Sequence, residues 1–292
     1  MIYSLENSTI KITVSTDGAE LHSIKGKREG TEYLWNGNPE FWKYHAPHLF
    51  PIVGKLVDSE YRVDGESYEM PPHGFARISE FEMIGRTNDS ITFRLTFSEE
   101  TLKVYPYKFS LLITYTLEES AVKVTYIIIN SDNKEIFFSI GAHPAFMCPI
   151  KENEKLEDYY LEFNKKEDSS IIEITKDIYL SRRKRKFFKD SNILNLTKEI
   201  FEDGVLIFDD LESNKIALKS KNHNKSLCVE FEGFPYVGIW APETGAPFVC
   251  IEPWFGHADY EDFSGDFRER EGILGILEDE EFNYSYKISI VE

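Results

Sequence analysis

Cysteine is scarce in this 292-residue chain, with only Cys148, Cys228 and Cys250. The number is odd, the three lie far apart, and no C-x-x-C pair occurs, so neither a disulfide scaffold nor a cysteine zinc site is signalled. Basic residues are outnumbered, 33 Lys+Arg against 51 Asp+Glu, for a net charge of −18. That balance argues against nucleic acid, whose binding depends on clustered Lys and Arg, and against an anionic membrane surface. A neutral small molecule is not penalised by it. No uninterrupted apolar run approaches the ~20 residues of a membrane span. Residues 1–6, MIYSLE, lack a basic stretch followed by an apolar block, so no secretory signal is expected. Gly/Ser tracts, internal repeats and convincing linkers are also missing. The expectation is a cytoplasmic protein with free thiols, folded as a single domain over residues 1–292.

What is present is apolar and aromatic. Hydrophobic residues make up 41% of the chain and aromatics 14%, including 22 Phe and 16 Tyr. This excludes global disorder and leans towards β structure. Period-two alternation, the mark of a half-buried strand, runs through Ile10–Val14 and Ile91–Phe97. Residues 111–117 and 122–129 flank the polar turn Glu118-Glu119-Ser120 and predict a hairpin. Further strands are expected near 159–163, 205–208, 215–218, 227–231, 237–240, 249–251 and 284–290. Helical patterns are few; Arg270 to Leu277 reads as a short helix. The pattern predicts an all-β antiparallel sandwich. The basic run 182–186, RRKRK, reads as a solvated surface loop or hairpin tip rather than a phosphate patch.

Four segments place ionisable residues inside apolar or turn-forming sequence: 50–56 (FPIVGKL), 71–77 (PPHGFAR), 139–146 (SIGAHPAF) and 248–256 (FVCIEPWFG). Glu252 follows Val249-Cys250-Ile251. It is either a strand-end carboxylate in a salt bridge or a pocket carboxyl whose burial raises its pKa, which suits a general base near neutral pH. His143 is either a hydrogen-bonded core residue or a proton carrier tuned by its surroundings. His73 sits in a Pro/Gly turn, where loop-borne polar groups often meet ligands. His45 and His48 form H-x-x-H, a weak metal signal that His73, His143 or Glu252 would have to complete. On a strand, residues three apart face opposite sides. No G-x-S-x-G elbow and no phosphate-binding G-x-x-x-x-G-K-[ST] loop appears. With 51 acidic residues, a glycosidase-type carboxyl pair stays open.

With 238–242 (GIWAP) added, these segments resemble the aldose 1-epimerase (galactose mutarotase-like) family, most closely its LacX-like branch. The resemblance covers nearly the whole chain. It implies a β-supersandwich of large antiparallel sheets with few short helices. It also implies interconversion of the α and β anomers of a free aldose, without cofactor or metal. By their motifs, Glu252 corresponds to the base that takes the anomeric hydroxyl proton and His143 to the acid that protonates the ring oxygen. His73 corresponds to a second histidine that hydrogen-bonds the sugar. Lys55 falls where many relatives carry Arg, and Asp203 near an aspartate that binds sugar hydroxyls. Arg77 either binds hydroxyls or fixes the 71–77 turn. Trp240 and Trp254, with Phe75 and Phe255, either stack on sugar C–H faces or belong to the core. The implied partner is a monosaccharide, and the assembly a monomer or homodimer. The alternatives are a non-catalytic sugar-binding or sensing protein, a hexose-6-phosphate mutarotase, and a metal-dependent enzyme of the cupin type.

Overall fold

The structure, a computed structural model, describes residues 1–243 and 245–292. Two large antiparallel sheets dominate it. The nine-stranded sheet runs, edge to edge, Ser191–Asn195, Tyr159–Glu167, Lys215–Ser220, Ser226–Glu230, Glu281–Val291, Ala121–Asn130, Phe109–Glu118, Ser90–Thr96 and Glu82–Arg86. Its centre is the hairpin read from the sequence. Phe109–Glu118 and Ala121–Asn130 pair in unbroken register around Glu119 and Ser120, and their side chains alternate between buried and half-buried. This is a sheet with one face on the core.

The eight-stranded sheet carries Leu180–Lys186, Ser170–Ile174, Leu206–Phe208, Tyr236–Trp240, Phe248–Phe255, Ile140–Ala142 and His48–Leu49 in that order, with Ala145–Met147 also paired to Phe248–Phe255. Every residue of Phe248–Phe255 is buried, as expected for a central strand covered on both faces. A three-stranded sheet, Ile2–Glu6, Ile10–Ser15 and Leu21–Gly26, and two two-stranded ones complete the architecture. One apolar cluster extends from Leu5 to Ile290 and includes Phe50, Phe93, Tyr115, Phe138, Phe163, Phe208 and Tyr286.

Helix is confined among the described residues to Glu99–Val104 and short 3-10 turns. Ser98 caps Glu99–Val104, accepting from the Thr101 N–H while the Thr101 hydroxyl accepts from the Ser98 N–H, the reciprocal capping box. No described helix is long and apolar enough to cross a membrane. The helix expected over 270–277 is not formed. A 3-10 turn occupies Phe267–Glu269 instead, and Leu274–Ile276 is a strand paired with Ile136–Phe138. Gly272 has a positive φ of 75°, which a continuing right-handed helix excludes. The basic run is also not a loop: it lies on the exposed edge strand Leu180–Lys186. There Arg182 pairs with Asp262 and Glu271, Arg183 with Glu173, Lys184 with Asp209 and Arg185 with Asp203. The run is neutralised locally, and charged side chains on an edge strand oppose edge-to-edge aggregation.

One buried ion pair fastens the loop after Phe248–Phe255. Arg270 Nε donates to Asp259 Oδ1 at 2.6 Å, with both side chains almost fully enclosed. Arg270 also donates to the His257 carbonyl at 2.9 Å, and Asp259 Oδ2 accepts from the Val57 N–H at 3.0 Å. Removing one partner strands the other charge in low dielectric. Asp259→Ala is therefore expected to cost about 3–5 kcal/mol of stability in urea unfolding. A loss below about 1 kcal/mol would show that the pair does not hold the loop.

Candidate active site

The central feature follows from strand register. Phe248–Phe255 is flanked on one side by two short strands in a single continuous register: Gly141 faces Trp254 and Ala145 faces Cys250. Pro144, which has no N–H to give, lies in the gap between them. Continuing that register across the gap sets His143 opposite Glu252. The side chains meet, with His143 Nε2 3.2 Å from Glu252 Oε2. On the other flank Gly238 faces Glu252.

Glu252 is 1% exposed, and its Oε2 has no hydrogen-bond partner. Burial pushes its carboxyl well above the usual range. The Trp254 indole pulls slightly the other way, although its N–H completes no hydrogen bond. Burial drives His143 well below the ordinary histidine value, and the neighbouring His73 adds to the shift. His143 Nδ1 is buried without a partner. Both groups are thus pushed towards their neutral forms, so the pair as a unit holds one mobile proton.

His73 stands edge-on to His143, with ring centroids 5.5 Å apart. Its backbone is left-handed, φ 67°, held by its own N–H to the Gly54 carbonyl at 2.8 Å. The Gly54 N–H in turn donates to His73 Nδ1 at 3.2 Å. Nδ1 is therefore the acceptor, and Nε2 carries the proton of the neutral ring. Burial, assisted by the Arg77 charge, depresses its pKa to about 3. His73 is a fixed neutral donor rather than a titrating base.

The pair opens into a cleft of about 760 Å³. Glu252, His143 and His73 line it, with Lys55, Asp203, Trp240 and Trp254. Trp254 reaches the cleft because its ring passes over two glycines. A Cβ on Gly238 would come 2.4 Å from the ring and one on Gly141 2.5 Å. Lys55 is already engaged: its Nζ donates to the Asp177 carbonyl at 3.0 Å and lies 4.5 Å from the Tyr179 ring centre. Asp203 is at the exposed rim, ion-paired with Arg185.

Arg77 does not line the cleft. It donates to the Pro72 carbonyl at 2.8 Å and lies over the Tyr44 ring, bracing the 71–77 turn. The same turn is stitched to 50–56 by the Phe75 and Ala76 N–H groups, both on the Phe50 carbonyl. Phe75 and Phe255 belong to the core. The H-x-x-H pair is split. His48 is buried, with Nδ1 and Nε2 each 2.7 Å from a tyrosine hydroxyl, Tyr126 and Tyr115, which leaves no ring nitrogen for a metal. His45 turns instead to Glu20.

Trp42 was not singled out from the sequence. Its ring covers His143, with centroids 4.8 Å apart and planes tilted by 32°, and Trp240 meets the same imidazole edge-on at 5.8 Å. The only sequence signal near it is the aromatic density of 41–50, which holds Phe41, Trp42, Tyr44 and Phe50. Ile174, Lys176, Ile178 and Glu243 also line the cleft and carried no motif.

The aldose 1-epimerase family model matches residues 1–274. The chain is 32% identical over 299 aligned positions to the chromosomal Protein LacX of Lactococcus lactis subsp. lactis, with both chains fully covered. Its fold is similar to that of a galactose mutarotase related enzyme from Lactobacillus acidophilus, at TM-score 0.95 and 34% identity, covering 100% of this chain and 98% of that one. It is also similar to a galactose mutarotase-like protein from Lactobacillus casei, at TM-score 0.94 and 31% identity over the whole of both chains.

The Glu252 environment predicts a pH signature in stability. Its pKa is raised on folding, so its contribution is present below the unfolded value near 4.5 and is lost as pH rises towards the folded value. Glu252→Gln is expected to melt higher than the wild type, by a margin that widens as pH rises above 4.5. Thermal melts of both proteins across pH measure it. A margin that narrows with rising pH would mean that the native carboxyl is stabilised in its charged form.

Proposed function

The chain belongs to the aldose 1-epimerase family, and from that membership and the geometry of the cleft we propose that it interconverts the α and β anomers of a free aldohexose. The observation that carries this reading is the Glu252–His143 pair, buried, 3.2 Å apart and facing the cleft. Ring opening removes a proton from the anomeric hydroxyl and delivers one to the ring oxygen. Both oxygens are bonded to the same carbon, so two groups in contact with each other reach both.

In the proposed cycle, Glu252 as carboxylate takes the hydroxyl proton while protonated His143 gives its proton to the ring oxygen. The C1–O5 bond breaks, C1 becomes a carbonyl, and the pair is left as carboxylic acid and neutral imidazole. Rotation about C1–C2 turns the other carbonyl face to O5. Closure returns the proton from Glu252 to the carbonyl oxygen and the O5 proton to His143. No proton is consumed and no cofactor takes part. Burial favours the neutral pair, which is the form that accompanies the open-chain aldehyde, so the site biases the step that water makes difficult. His73, a fixed donor, hydrogen-bonds the sugar beside these oxygens. Trp42, Trp240 and Trp254 offer flat faces to its C–H surface. Asp203, at the rim, binds hydroxyls further out.

The setting favours a neutral sugar over a phosphorylated one. Lys55 is occupied by a carbonyl and a ring, and although Lys176 also lines the cleft, Glu202, Asp203 and Glu243 outnumber the lysines there and repel a phosphate dianion. A purely sugar-binding role is disfavoured by the pair itself. Leaving a carboxyl oxygen and an imidazole nitrogen buried and unpaired costs stability without serving binding.

Polarimetry on fresh α-D-glucose and α-D-galactose tests the reading. The wild type is expected to speed the approach to an unchanged final rotation. Glu252→Gln and His143→Ala are each expected to lose about 10²–10⁴-fold in rate while remaining folded by circular dichroism. Wild-type rates in both variants would remove these residues from the mechanism. Sugar binding without acceleration in the wild type would favour a sensor.

A further inference from the structure

We propose that Glu20, His22 and His45 form a binding site for a divalent transition-metal ion of the zinc type, distinct from the Glu252–His143 pair. Glu20 and His22 come from the start of the Leu21–Gly26 strand, and His45 from the stretch that leads into His48–Leu49. Each offers one ligand atom, and the three atoms all lie within 4.8 Å of one another. Glu20 Oε2 is 3.2 Å from His22 Nε2 and 3.8 Å from His45 Nδ1. Zinc bonded to nitrogen and oxygen at about 2.0–2.2 Å in a tetrahedron sets its ligands about 3.3–3.6 Å apart. The two separations, 3.2 and 3.8 Å, straddle that range.

The rest of the cluster fits the same purpose. Glu20 Oε1 accepts from the backbone N–H of His45 at 2.7 Å and of Ala46 at 3.0 Å. This is the outer-shell orientation that ligating carboxylates commonly receive. His45 Nδ1 is buried and makes no hydrogen bond, a ring nitrogen with no other task. The His22 and His45 side chains are 27% and 16% exposed, so an ion has a way in, and water can take a fourth position. The rings stack at 4.0 Å between centroids with planes 13° apart. A bound ion requires them to splay by rotation about Cβ–Cγ. Its structural effect would be to pin the stretch that carries Trp42 onto His143.

His143, Cys250 and Glu252 also gather within 4.8 Å. Burial pushes the Cys250 thiol well up, which disfavours the thiolate a metal needs. The experiment separates the two clusters. Full-length protein, stripped with chelator and desalted, is titrated with ZnCl₂, and bound zinc is measured by mass spectrometry alongside thermal melts. Wild type and Cys250→Ser are each expected to hold about one equivalent and to melt higher with zinc. His22→Gln, at the more exposed ligand, is expected to bind more than tenfold more weakly, and His22→Gln/His45→Gln to retain none. No retained zinc in the wild type overturns the proposal. So does unchanged affinity in His22→Gln, or loss of zinc in Cys250→Ser alone. If the double variant does not fold, the single variant decides.

Discussion

A carboxyl oxygen taken out of water without a hydrogen bond costs about 1–3 kcal/mol by protein mutational measures, and Glu252 bears that cost at the centre of a fully buried strand. Nothing nearby neutralises it except the imidazole 3.2 Å away, which is itself driven to its neutral form. An ordinary core would replace both groups with apolar ones. Their presence fits a pair that shares one proton, with burial favouring acid and imidazole over carboxylate and imidazolium. The sheet supplies the alignment, because the interrupted ladder beside Phe248–Phe255 leaves His143 facing Glu252 with no flexible segment between them.

The remaining parts of the cleft serve this pair. Glycines at 141 and 238 let the Trp254 ring lie over them and reach the cleft. The mutual hydrogen bonds of His73 and Gly54 fix a histidine tautomer and aim its Nε2–H. The buried Asp259–Arg270 pair secures the loop that brings Ala258 to the cleft wall. Trp42 closes over His143 from a stretch tied down through Glu20. Strands and a hydrogen-bonded turn hold Glu252, His143 and His73, while the outer rim is built from the turn around Ile178 and the segment around Asp203.

Much of this was legible in the sequence because it is written locally. Alternation marked the hairpin of 109–130, since a half-buried strand must alternate. The family motifs marked Glu252, His143 and His73, which the fold brings together from three distant segments. What the sequence did not reveal depends on contacts between segments. Trp42 earns its place by packing across to His143, and the Glu20–His22–His45 cluster joins residues 25 positions apart. The spacing of His45 and His48 suggested a shared ligand role, but one ring is locked between two tyrosines and the other faces Glu20. The helix expected near 270 had suitable composition, but the left-handed Gly272 and the pairing of 274–276 with 136–138 overrode it. Of the two readings open for Arg77, the structure selects the one in which it braces its own turn.

The claim that Glu252 and His143 act as one unit holding a single mobile proton is tested most directly by the pH dependence of kcat/KM for a pure α anomer, followed from about pH 5 to pH 9. The account predicts a rate that holds as pH falls through 6.5, because burial moves the His143 titration below the ordinary histidine value, and that falls on the alkaline side once the pair gives up its single proton, above the ordinary carboxylate range. A rate that rises to half its maximum near pH 6.5, as for an ordinary histidine losing its proton, would contradict it.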